Sequence, residues 1–103
     1  MNLDEAKSSI CSYIDDISEE LIAVSHAIHE NPELGYEEHF AHEQLTKVLI
    51  GKGLDVHKSA YEIDTAFEAT AGKAGPVVAL LCEYDALPGI GHACGHNIIA
   101  AAG

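Results

Sequence analysis

From Asp4 to Glu30 the apolar residues Ile10, Ile14, Ile17, Leu21, Val24 and Ile28 recur at intervals of four and three, which sets them on one stripe of a helix. The spacing predicts a single long amphipathic helix. Asn31-Pro32 ends it, because a residue before proline is pushed out of the α region, and Gly35 loosens the turn that follows. A second helix is expected over Glu37 to Ile50, with Phe40, Ala41, Leu45, Val48 and Leu49 as its buried face and Gly51 and Gly53 as its stop. Beyond it the period shortens. Leu54-Asp55-Val56-His57 and Ala66-Phe67-Glu68-Ala69-Thr70 read as short strands, and the uncharged run Pro76-Val77-Val78-Ala79-Leu80-Leu81 reads as a central strand buried on both faces. The run from Asn97 onward, Ile-Ile-Ala-Ala-Ala-Gly, starts a third, buried helix whose first amides favour negative charge in the loop before it.

Two helices, two or three strands and the start of another helix predict an α/β fold, the opening of a sandwich and not a closed one. A strand apolar on both faces needs helical layers on each side, and two helices cover only part of that need. The chain also stops at Ala100-Ala101-Ala102-Gly103, inside an apolar run. The expectation is therefore that residues 1–103 are the N-terminal portion of a larger domain, with exposed sheet edges and low stability in isolation.

Composition narrows the classes of function. With 48% apolar residues in 103, the chain has ordinary globular content. Five basic against seventeen acidic residues give a net charge of −12, which disfavours binding to phosphate backbones and to anionic membrane surfaces. No stretch approaches the ~20 apolar residues of a membrane span, and the N-terminus lacks a basic region followed by an apolar core. The three cysteines have no framework spacing and suit a reducing compartment, so a cytoplasmic location is expected.

The chemistry concentrates in Cys82 to Asn97, CEYDALPGIGHACGHN, at the C-terminal end of the expected central strand. That edge of an α/β sheet is where ligand-binding loops converge. Cys94 and His96 can meet one cation if the chain bends at Gly95, and thiolate with imidazole is a donor pair favoured by zinc and related ions. Glu83 or Asp85 is available to complete a shell or to hydrogen-bond a ligating imidazole. Pro88, Gly89, Gly91 and Gly95 argue against a helix through the loop, and so against His92 and His96 as a ligand pair four residues apart on a helical face.

Asp85-Ala86-Leu87-Pro88 followed by His92-Ala93-Cys94-Gly95-His96 resembles the metal-binding signature of the M20 metallopeptidase and amidohydrolase family, in the branch where cysteine is a ligand. His29-Glu30-Asn31-Pro32-Glu33-Leu34-Gly35-Tyr36-Glu37-Glu38 is similar to that family's opening segment, and the resemblance runs over roughly residues 15 to 103. It implies the N-terminal part of an α/β/α sandwich catalytic domain of zinc-peptidase type, with Cys94 and His96 as metal ligands and Asp85 as the catalytic residue that orients or polarises the site. Glu83 falls where other branches place a histidine ligand, which suggests a supporting residue only. The implied cofactor is one or two divalent ions, zinc first, with manganese or cobalt as alternatives. The implied activity is amide hydrolysis, and the dipeptidase branch is the nearest, with substrates carrying a basic C-terminal residue. Amidohydrolases of N-acyl amino acids more often carry Asp where this chain has Asn97, and stand second. A non-catalytic truncated product that binds metal or a partner stands third. The general-base glutamate and the further ligands belong downstream of Gly103, as does the lid domain through which the full-length protein is expected to form a homodimer.

The remaining candidates have plainer readings. Cys11 and Cys82 are expected to pack as small hydrophobes. His26, His39, His42 and His57 are expected at the surface or its boundary, and Glu37 and Glu38 in a solvated first helical turn. His29 belongs to the family-like segment without being a ligand.

Overall fold

A computed structural model describes all residues, Met1–Gly103. In chain order it contains α1 (Leu3–Asp16), α2 (Ser18–Glu30), α3 (His39–Gly51), β1 (Asp55–Lys58), a 3-10 turn at Ala60–Glu62, β2 (Phe67–Thr70) and α4 (His96–Ala102). The mixture of helix and strand is that of an incomplete α/β fold. Its sheet has two antiparallel strands, with Asp55 opposite Thr70 and Lys58 opposite Phe67. No helix is long and apolar enough to cross a membrane.

The single long first helix expected from the periodicity is two helices. α1 begins with a reciprocal cap, in which the Glu5 amide donates to Asn2 Oδ1 (2.8 Å) and the Asn2 amide to Glu5 Oε2 (3.0 Å). It ends where Ile17 leaves helical geometry, at φ −101° and ψ 7°. Charge explains the position of the break. Asp15 and Asp16 are disfavoured at the C-terminal end of one helix, while Glu19 and Glu20 are favoured in the first turn of the next. No residue of α1 is buried, so Cys11 is exposed and not packed as expected. At the end of α2, Asn31 Nδ2 donates to the Ala27 carbonyl (2.9 Å), occupying an acceptor that the helix leaves open.

Ile28 from α2 and Ala41 and Leu45 from α3 form the core, with Val24, Phe67, Tyr84 and Ala100 packed against them. The polar half of the buried face on α3 was not expected. His42 is buried there, its Nε2 bonded to the Ala66 carbonyl (3.2 Å) and its ring edge on Phe67, so it is no surface histidine. Thr46 is also buried, its hydroxyl donating to the His42 carbonyl (2.8 Å). Glu38 corrects a further expectation. It lies buried at the N-cap of α3, accepting from Thr65 Oγ1 (2.9 Å) and the Glu37 amide (3.2 Å).

The largest departure is at Val77–Leu81. This run forms no strand and pairs with nothing, and Val77 and Leu81 are 95% and 88% exposed. The physical reason is the absence of a neighbouring strand, since β1 and β2 pair only with each other and an apolar segment needs a ladder partner to become a strand. α4 forms as expected but is only partly covered, with Asn97 buried and Ile98 exposed.

Candidate metal centre

Two sequence segments far apart in the chain meet here. The Glu33 carboxylate accepts from the Phe40 and Ala41 amides at the start of α3 (2.8 and 2.9 Å), which fixes the loop that follows Pro32. The Glu33 carbonyl then accepts from the Ala86 amide (2.7 Å). Gly91, with φ +60°, lies so close to Pro32 that a Cβ on it would sit 3.8 Å from the proline Cβ. A short bridge between Leu87 and Gly91 closes the loop over itself. Thus the segment from His29 to Glu38 is the support on which the loop from Asp85 to His96 rests.

At the far end of that loop Gly95, at φ +85°, makes the left-handed step into α4, a conformation that costs glycine least. The step turns His96 back toward Asp85. His96 Nδ1 lies 2.9 Å from both the Asp85 carbonyl and Asp85 Oδ1. Both partners are acceptors, so Nδ1 carries the proton, and in the neutral ring Nε2 keeps its lone pair. A carboxylate holding one ring nitrogen while the other is free is the arrangement that orients imidazoles toward metals. His96 and Asp85 are therefore brought together as a pair. Cys94 stands exposed two residues before His96, and Glu83 is exposed and not bonded to the imidazole. No three His, Cys, Asp or Glu side chains converge on one point. A thiolate and an imidazole, the donors of Cys94 and His96, suit zinc or cobalt, and manganese fits only once carboxylates join them.

Beside them lies His92, which the sequence reading set aside as a ligand partner for His96. His92 is buried, and neither ring nitrogen has a hydrogen-bond partner. Burial pushes its pKa below the usual histidine value, the nearby His29 and His96 add to that, and Asp85 and Glu33 oppose it. The His29 and His92 ring centroids are 6.3 Å apart. Nothing in the periodicity marks His92 for burial, because the loop is folded by its glycines and by Pro32, not by a hydrophobic pattern.

An open cleft of about 270 Å³ runs from Asp85 past Glu83, Tyr84, Glu38 and Thr65 to Tyr36. Its lining contains three acidic side chains and no basic one. The Tyr84 hydroxyl donates to the Thr65 carbonyl, and burial together with the carboxylates of Glu38 and Glu33 raises its pKa to about 12. On the α4 side Asn97 Nδ2 donates to Ser25 Oγ (3.0 Å) and to the Ser25 carbonyl (3.3 Å), tying α4 to α2. Aspartate at this position has no proton to give that carbonyl.

Over its whole length the chain is 44% identical to the Xaa-Arg dipeptidase of Homo sapiens, matching 26% of that protein. It is 42% identical to the Mus musculus protein of the same name, with 98% of the chain and 26% of the relative covered. It is 34% identical to one of the subunits of the p-aminobenzoyl-glutamate hydrolase of Escherichia coli, over 77% of the chain and 20% of the relative. No protein-family model matches the chain. The chain spans about a quarter of the length of the dipeptidases it matches. These relatives are hydrolases of small molecules, and with the two contacting segments and the Asp85–His96 pair they make this chain a member of the M20 peptidase and amidohydrolase family.

Proposed function

We propose that these residues are the N-terminal part of a metal-dependent dipeptidase, located in the cytoplasm, whose substrates carry a basic C-terminal residue. The bond from His96 Nδ1 to Asp85 is the observation that carries the reading, because it leaves Nε2 as a ready donor two residues along the chain from Cys94. When bound, a divalent ion of this class supplies Lewis acidity to an amide carbonyl and lowers the pKa of water toward ~7. Asp85 holds the imidazole in one tautomer and one orientation. Cys94, once ionised, contributes the softer donor. The acidic lining of the cleft suits a cationic substrate side chain, in keeping with the name of the Xaa-Arg dipeptidases. The remaining ligands and the glutamate that serves as general base belong to the protein beyond Gly103.

The first test is the intact mass of the native polypeptide that carries this N-terminus. A mass of several hundred residues is expected. Dipeptides ending in arginine should then be hydrolysed with added zinc, manganese or cobalt, and Cys94→Ala should abolish turnover. Preference for N-acyl amino acids would move the reading to the conjugate amidohydrolases, and a native mass near 10.9 kDa would leave a non-catalytic product.

A further inference from the structure

α4 is lightly held for a helix that carries a candidate ligand. It has seven residues and no side-chain cap, and it follows Gly95, whose left-handed step at φ +85° is the bend about which it can swing. A helix this short has too few bonds of its own to be stable without packing. Ile98 and Ile99 give little hold, at 64% and 40% exposed, and Ala100 meets the core only a turn after the helix starts. Asn97 is its one buried residue.

Asn97 Nδ2 donates to Ser25 Oγ (3.0 Å) and to the Ser25 carbonyl (3.3 Å). A carbonyl only accepts, so the nitrogen end of the amide must face α2. Ser25 lies three positions before Ile28, a fully buried residue of the core, so this anchor sits one helical turn from it. His96 immediately precedes Asn97, and successive residues of a helix point about 100° apart. With Asn97 turned onto α2, the His96 ring is turned onto Asp85, its Nδ1 2.9 Å from both Asp85 acceptors. We infer that Asn97, through Ser25, is a positioning residue for His96. It fixes the rotation of α4 about Gly95, and with it the reach of the Nδ1 proton to Asp85. This role rests on the proposed metal centre for the use made of Nε2, but the Nδ1 bond itself needs no metal.

Two measurements on the native polypeptide test this role. With nitrogen-labelled histidine, magnetic resonance follows exchange of the His96 Nδ1 proton, assigned by its loss in His96→Gln, and cobalt(II) titration follows affinity. In Asn97→Ala the proton should exchange about tenfold faster than in the parent, with a smaller change in Ser25→Ala, which keeps the carbonyl acceptor. Thr46→Ala, which removes a buried hydroxyl bond within α3, should leave the exchange unchanged, so that a general loss of stability is not what is read. Cobalt affinity should fall about 10-fold in Asn97→Ala. Once His96 is alanine, Asn97→Ala should cost nothing further, because both act through one imidazole. A proton as slow in Asn97→Ala as in the parent, equal acceleration in Thr46→Ala, or additive losses with His96→Ala would overturn the assignment. Failure of the parent to bind cobalt would count against the metal centre alone, and the proton exchange would still decide the role of Asn97.

Discussion

Around α3 the buried polar groups are bonded, and in the loop before α4 one of them is not. Glu38 holds Thr65, Thr46 holds its own helix, and Glu33 caps the amides of α3, the helix that gives Ala41 and Leu45 to the core. The stretch from Val77 to Cys94 contains a bare apolar run, an unbonded buried His92 and an exposed Cys94. The first region is stabilised by contacts that the chain makes with itself. The second carries donor groups and apolar surface that these residues leave open. A buried group without a partner is costly, and such groups gather where a ligand or another surface completes them.

If the first region is where stability resides, Ile28→Ala should cost about 2–5 kcal/mol, whereas Leu80→Ala should stay within about 0.5 kcal/mol. Urea unfolding monitored by circular dichroism measures both, and equal costs would erase the contrast. Glu38→Ala strands the buried Thr65 hydroxyl and should cost about 1–3 kcal/mol. The same experiment on exposed Glu83→Ala should give almost no change. The opposite sign is expected in the loop, where His92→Leu removes two unbonded nitrogens at similar volume and should stabilise the fold by about 1 kcal/mol. A loss in that variant would mean that His92 has a partner in solution.

The smallest effect is one of pH. Tyr84 ionises near 12 in the folded chain against an ordinary 10.0, so the folded state retains the phenolic proton longer than the unfolded one. Its contribution is complete below pH 10.0 and is lost as pH rises from there toward 12. Phenolate absorbance during a base titration should show one late-titrating tyrosine, absent in Tyr84→Phe.

The contrast also marks what the sequence made legible. The strands β1 and β2, α3 and α4 came from periodicity and stop signals, while the pairing of β1 with β2 was seen only in the structure. The break at Ile17 was hidden by an apolar stripe that runs through it, although the carboxylates at Asp15, Asp16, Glu19 and Glu20 mark it once dipoles are considered. Val77–Leu81 reads as a strand by composition, but strand formation depends on a neighbour that composition does not supply. Cys94, His96 and Asp85 were singled out by residue type and by the family resemblance; the structure bonds the last two, and the ligand roles belong to the proposed function. The burial of His92 and Glu38 was missed because it is imposed by a loop resting on Pro32 and by Thr65 across the chain, which no local pattern encodes.

The central claim is that Asp85 holds His96 ready to bind a metal together with Cys94. Cobalt(II) titration of the native polypeptide, followed by absorbance, tests it most directly. The account predicts a thiolate-to-cobalt charge-transfer band that disappears in Cys94→Ala and in His96→Ala, with apparent affinity about 10- to 100-fold lower in Asp85→Asn. Cobalt binding without that band, or with Cys94→Ala and Asp85→Asn indistinguishable from the parent, would contradict it.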